Sequence, residues 1–189
     1  MFDIVPCSSA DIRNNRTELI ALLKGVVDGG ASISFLAPLD LAIATAFWDK
    51  VAEEIDNGQR IVVVARESSS RQLLGCAHLA FAWTPNSTHR AEVQKVLVIQ
   101  SARRKGVGRA MLFVLDILAW RAGRSLLVLD TARDSGAEKL YENCGYVRVG
   151  IIPNYAMAPY GGFVDTVVYY KQLNPGPDTP ISQGVPADK

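Results

Sequence analysis

The stretch from Val96 to Leu112, VLVIQSARRKGVGRAML, constrains this chain more than any other. A short apolar run meets a turn holding Gly106 and Gly108. From Val107 onward, Val107, Ala110, Met111, Val114, Leu115 and Leu118 recur at helical spacing. The pattern predicts a strand, a turn and a helix with one strong core face. Arg103, Arg104, Lys105 and Arg109 crowd the start of that helix. Cations at that end oppose the helix dipole and cost stability unless an anion offsets them. Backbone N–H groups left uncovered by glycine at a helix N-terminus make a site for phosphate or pyrophosphate. A solvated basic turn with glycines chosen for geometry is the plainer alternative. Two other phosphate loops are excluded. There is no Gly-x-x-x-x-Gly-Lys-Ser/Thr, and Met111 stands where a Gly-x-Gly-x-x-Gly loop needs its third glycine.

The rest of the chain bounds the answer. Its 189 residues suit one domain with a real core, and 49% hydrophobic content is too apolar for a disordered chain. Twenty Lys+Arg against 19 Asp+Glu leave a net charge of +1, which argues against a dedicated nucleic-acid binder. No apolar run approaches the roughly 18 residues that span a bilayer, and the N-terminus has no secretory pattern. Cys7, Cys76 and Cys144 lie far apart without a CxxC, so no disulfide framework is expected and a reducing cytoplasm fits. With two His and no paired Cys, no metal site is expected. Residues 174–189 hold four of the nine prolines and no apolar periodicity; they read as a flexible Pro/Gly-rich tail after a domain of residues 1–173.

The patterning is mixed α and β. Strands are expected at 2–7, 60–67, 73–83, 89–100, 126–129, 146–152 and 163–171, and helices at 11–27, 39–55, 107–122 and 135–143. Asp40 reads as a helix cap, and Asn57-Gly58 as a stop. Leu126-Leu127-Val128-Leu129 reads as a central strand covered on both faces. Trp48, Trp83 and Trp120 fall on core patterns, His78 on a buried strand. Residues 153–162, rich in Gly, Pro and Tyr, read as a long link between the last two strands; with residues 29–35 it would wall a pocket.

Arg103-x-x-Gly106-x-Gly108 resembles the Arg/Gln-x-x-Gly-x-Gly/Ala signature of the GNAT superfamily of N-acetyltransferases. Val96-Leu97-Val98 resembles the strand before that signature, and residues 137–146, AEKLYENCGY, resemble the family's Ala-x-x-x-Tyr-x-x-x-Gly-Phe/Tyr segment. Within the superfamily the chain is similar to the tabtoxin resistance protein group, through residues 29–32, 90–95, 129–131 and 148–150. Asp134 departs from the Asn that many members carry there.

The resemblance implies an α/β (α+β) fold with a mixed, mostly antiparallel sheet, two parallel strands splayed apart, and flanking helices. It implies acetyl-CoA (coenzyme A) as cofactor. The pyrophosphate would lie on Arg103, Arg104, Lys105, Gly106, Val107, Gly108 and Arg109, and the pantetheine arm against the backbone of Leu97 and Val98. The implied activity is direct acetyl transfer to the primary amine of a small molecule, amino-acid-like or a toxin or antibiotic.

Attack by an amine that is protonated at neutral pH needs a group to take its proton. Glu92, near the expected cleft, and Asp130, at the C-terminal edge of its strand, are the candidates. Each also has a plain reading, Glu92 as a surface charge paired with Arg90 or Lys95, Asp130 as a cap. Tyr141 is the candidate general acid. Cys144 reads as a small hydrophobe rather than a nucleophile. The other readings are a non-enzymatic acyl-CoA-binding or sensor module and a protein N-terminal acetyltransferase. Neither nucleic acid nor membrane is an expected partner. The sequence does not fix the oligomeric state, and a homodimer is compatible with it.

Overall fold

The computed structural model describes residues 1–173, so the 174–189 tail lies outside the described residues. In chain order the elements are β1 (Phe2–Cys7), α1 (Ser9–Asn14), α2 (Arg16–Asp28), α3 (Leu41–Asp56), β2 (Arg60–Glu67), β3 (Leu73–Phe81), β4 (Arg90–Val98), α4 (Val107–Arg121), β5 (Leu126–Ala132), α5 (Glu138–Asn143), β6 (Val147–Met157) and β7 (Phe163–Gln172). The strands form one sheet, ordered β1-β2-β3-β4-β5-β7-β6. Every neighbouring pair is antiparallel except β4–β5. This is the expected mixed, mostly antiparallel α/β architecture.

Period-2 alternation gives the sheet two buried faces. Val63, Ala65, Ala77, Leu79, Ala91 and Val93 pack with Val107, Met111, Leu112 and Leu115 of α4. Val62, Val64, Cys76 and Leu97 pack with Ile12, Leu19, Leu23, Trp48 and Val51 of α1, α2 and α3. In β4 the parity changes partway: Ala91 and Val93 face α4, but Leu97 faces the other side. The switch is a β-bulge. Gln94 stands opposite His78 and Leu97 opposite Cys76, so β4 has one residue too many, and Lys95 takes φ 49°.

Several expectations are corrected. The single helix at 11–27 is two, broken at Asn15, where φ is −103° and ψ 16°. Ser8 and Asp11 form a capping box that starts α1, and the Asn15 side chain donates to the Asp11 carbonyl at 2.8 Å, competing with helical continuation. The long link at 153–162 is mostly strand: β6 runs to Met157, leaving 158–162 as the turn. Pro153 is tolerated because β6 is the sheet edge and its pairing with β7 slips between Ile152 and Ala156. β5 is fully covered on one face only, with Leu127 and Leu129 buried while Leu126 and Val128 are half-buried. Trp83, expected in the core, lies beyond the end of β3 and is 82% exposed. Other boundaries move by one to three residues; the helix expected from 135, for instance, begins at Glu138.

Candidate active site

β4 and β5 pair only through Arg90↔Leu126, Ala91↔Leu127 and Glu92↔Val128. Past that point β4 keeps its outer partner β3 as far as Val98↔Gly75, and β5 keeps β7 as far as Ala132↔Thr166. Each strand therefore loses its inner neighbour and keeps its outer one, which opens a wedge lined by unpaired backbone groups. The Leu97 carbonyl is not among them. It faces Gly75, where a Cβ would sit 2.3 Å from it. Alternation turns the Val98 carbonyl to the other edge, where Arg103 Nε donates to it at 3.3 Å.

The wedge leads to the turn before α4. Gly106 is the N-cap with φ 83°, a conformation that favours glycine, and it provides no side-chain cap. The N–H groups of Val107, Gly108 and Arg109 make no hydrogen bond among the described residues. Arg103, Arg104, Lys105 and Arg109 are exposed around them. Uncapped amides ringed by cations fit a diphosphate, and the unpaired edge of β4 fits an arm that carries amides of its own. Gly108 has a further role. A Cβ there would come within 3.0 Å of Leu140 Cδ2, so its smallness lets α5 pack on α4.

Glu92 is the last β4 residue paired with β5, and Asp130 lies two residues past its partner Val128. Ala91, Val93, Leu127 and Leu129 all point toward α4, which puts Glu92 and Asp130 on the opposite face at the mouth of the wedge. Neither carboxylate is in an ion pair among the described residues, so Glu92 is paired with neither Arg90 nor Lys95. Asp130 Oδ2 accepts from Thr166 Oγ1 at 2.8 Å and caps no helix.

Tyr141 sits on the α4 side. It is buried in α5 against Tyr146 and Tyr169, ring centroids 5.8 and 6.1 Å away. Burial first, and the charge of Asp130 second, push its pKa up and hold the phenol protonated. Cys144 is half-buried with its thiol likewise pushed up by burial, which suits packing rather than nucleophilic attack. The hairpin turn at 158–162 is tied to the segment after α2: Tyr160 Oη donates to the Asp28 carbonyl at 2.7 Å, and Ala37 N–H donates to the Pro159 carbonyl at 2.9 Å. Sequence reasoning missed two residues on the carboxylate face, Lys95 and Arg60. A Lys inside a strand gives no signal of a bulge, and the bulge is what turns Lys95 to this side.

Residues 57–148 match the family model described as the acetyltransferase (GNAT) domain. Solved structures share the fold at low identity. A ribosomal-protein-alanine N-acetyltransferase from Brucella melitensis is 22% identical over 90% of this chain and 99% of its own, with a TM-score of 0.74. An N-acetyltransferase from Staphylococcus aureus Mu50 is 19% identical over 92% and 99%, with a TM-score of 0.75. The protein yncA from Salmonella typhimurium, solved with its cofactor acetyl-CoA, is 19% identical over 93% and 96%, with a TM-score of 0.74. The matched segment spans β2 to the start of β6, and so contains the wedge, the basic turn and α5. Residues 57–148 thus match a GNAT acetyltransferase domain, and the fold around them is that of solved N-acetyltransferases, which supports acetyl transfer from acetyl-CoA.

Proposed function

We propose that the protein transfers an acetyl group directly to the primary amine of a small, amino-acid-like molecule. The observation that carries this reading is the β4–β5 wedge, which ends on an uncapped helix start ringed by four cations. Acetyl-CoA, when bound, supplies the activated acetyl thioester. Arg103, Arg104, Lys105 and Arg109, with the amides of residues 106–109, hold its diphosphate end, and the Val98 backbone orients its arm. Glu92 takes the proton from the incoming ammonium, and Asp130 helps draw that cation into the mouth. Tyr141 holds a proton on Oη at the opposite face, where the leaving sulfur needs one. The free carboxylates and the protonated phenol lie on opposite sides of the wedge, so proton removal and proton return need not compete for one group.

The similarity of residues 90–95 and 129–131 to the tabtoxin resistance group favours a toxin or antibiotic amine as acceptor, and the absence of paired cysteines favours the cytoplasm. A protein N-terminus is the less favoured acceptor, because the bonds from the 158–162 turn to Asp28 at the end of α2 and to Ala37 favour a walled mouth over an open groove. We also propose that two copies associate along β6. Val147, Val149, Ile151, Tyr155 and Met157 of that edge strand are exposed, and an unpaired apolar edge invites antiparallel pairing with its own copy. A dimer mass in light scattering supports this, and a monomer that persists at high concentration refutes it.

The test of the cofactor assignment is calorimetry with acetyl-CoA on Arg104→Glu/Arg109→Glu. Both side chains are exposed, so the fold stands. Affinity should fall at least about a hundredfold, the scale expected when two charge-assisted hydrogen bonds are replaced by repulsion. Unchanged affinity would remove the basis for the assignment.

A further inference from the structure

The face of the wedge that carries Glu92 and Asp130 also carries a cation without a counter-carboxylate. Lys95 is the extra residue of the β4 bulge, turned to this side with φ 49°. Its Nζ donates to Ser34 Oγ at 3.1 Å across 61 positions of sequence. It lies 5.7 and 5.9 Å from the ring centroids of Phe35 and Phe47. Ser34 itself has φ 75°, so two non-glycine residues in the left-handed region meet through their side chains. Such backbone is costly for each and persists only where the surroundings hold it, most often at functional sites. No carboxylate lies within ion-pair distance of Lys95 among the described residues. Nearby Arg60 is engaged elsewhere, by Glu54 at 2.5 Å and Gln94 at 3.0 Å. Burial first, then the charge of Arg60, push the Lys95 pKa down against the weaker opposing pull of Glu92 and Asp130, so its charged form has more to gain from a further anion than a surface lysine does.

We propose that Lys95 Nζ and Ser34 Oγ together bind an anionic group of the acceptor, a carboxylate, while Glu92 and Asp130 receive its ammonium. This rests on the acetyltransferase reading above and narrows its amino-acid-like acceptor to one that carries a free carboxylate, with the residues that hold that group. The pairing follows from charge. Two carboxylates alone would take any cationic amine, whereas two carboxylates facing a lysine and a hydroxyl match a zwitterion. An acceptor without the anion draws Glu92 and Asp130 toward its own ammonium and leaves the half-buried Lys95 with less compensation, and an ordinary monoamine is disfavoured by that cost. The Phe35 and Phe47 rings beside Nζ fit the apolar stem between the two charged ends. Lys95 is therefore a specificity-determining residue, and Glu92 remains the base.

The experiment uses thiol release from acetyl-CoA with glycine, β-alanine, 4-aminobutyrate and L-lysine, each beside its carboxamide, together with the thermal shift that each compound produces. The wild-type protein should prefer at least one acid over its amide by roughly tenfold or more in kcat/KM, mainly through KM. Lys95→Gln should bring that ratio close to one and abolish the acid-specific thermal shift, while Lys95→Arg retains part of both. If Lys95→Gln folds poorly, Ser34→Ala should lower the same ratio from the other partner. A wild-type enzyme that acetylates acids and amides equally overturns the assignment of Lys95 and leaves the acetyltransferase reading standing. Equal losses for acids and amides in Lys95→Gln also overturn it, and make Lys95 a neutraliser of Glu92 and Asp130. Absence of thiol release with every amine strikes the broader reading instead.

Discussion

The two faces of the sheet beside the wedge differ in what they bury, although the same strands supply both. Toward α4 the core is aliphatic and aromatic: Ala91, Val93, Met111, Leu112, Leu115, Leu127 and Leu129, closed by Tyr141 and Tyr146. Toward α3 the core is apolar too, but polar groups are set into the layer beneath Phe47 and Trp48. His78 is 0% exposed, and Arg60 touches Glu54, Gln94 and His78 Nδ1. Burying polar groups costs free energy even when they are bonded. His78 Nε2 and Trp48 Nε1, moreover, find no partner among the described residues. The dry face gives a rigid mount for the helix whose N-terminus is proposed to hold the cofactor. The wet face accepts a stability cost where the acceptor is proposed to bind. A one-residue bulge separates the two roles within β4.

The largest expected effect tests the dry face. Leu115 is fully buried on the side of α4 that packs on the sheet, so Leu115→Ala should cost roughly 2–5 kcal/mol, read as a shifted urea midpoint with unchanged slope. The acid-to-amide preference should not move with it. Loss of both together would mean that the two faces are one cooperative site, and the contrast would fail. Next in size is Glu92→Gln on the wet face. Turnover at pH 7 should fall about a hundredfold, worth about 2.7 kcal/mol of barrier, with little change in stability. The deficit should shrink as pH rises and the free amine appears without help. A deficit that stays constant across pH takes the base away from Glu92.

How much of this was legible beforehand divides along the same line. The mount was readable, because it rests on local patterns. The i, i+3, i+4 spacing from Val107 marks α4 and Gly106 marks its start, and the cation cluster that carries the proposed anion site is local to the same turn. Strand placement in the first half succeeded for the same reason. What escaped depends on contacts distant in sequence. The bulge at Lys95 is set by pairing with β3, and the Lys95–Ser34 bond joins residues 61 apart. Gly108 was read as uncovering amides, but its tight contact is with Leu140 of another helix. The extent of β6 was missed because Pro153 and the Tyr-rich run look like loop until β7 lies beside them. Trp83 misled through residue type alone: an indole at a strand end is not buried unless something packs over it.

The smallest expected effect sharpens the contrast, because a buried polar face should carry a titration that a dry one cannot. Burial first, then the charges of Arg60 and Lys95, hold the His78 pKa well below its ordinary value of 6.5. In the folded protein His78 is therefore neutral where the unfolded chain already binds a proton. The unfolded state then holds more protons below pH 6.5, so stability is complete above that value and falls as pH drops through it. The loss should grow as pH falls further, until His78 is protonated in the folded protein as well. His78→Phe keeps an aromatic ring between Phe47 and Trp48 and removes the titrating group. Subtracting its stability curve from that of the wild type, each referred to pH 7.5, should leave a slope that appears only below pH 6.5. Parallel curves would mean that His78 reaches solvent or a proton acceptor when charged. The layer under α3 would then be wetter and looser than its burial implies, and the cost assigned to the acceptor face would have to be borne elsewhere.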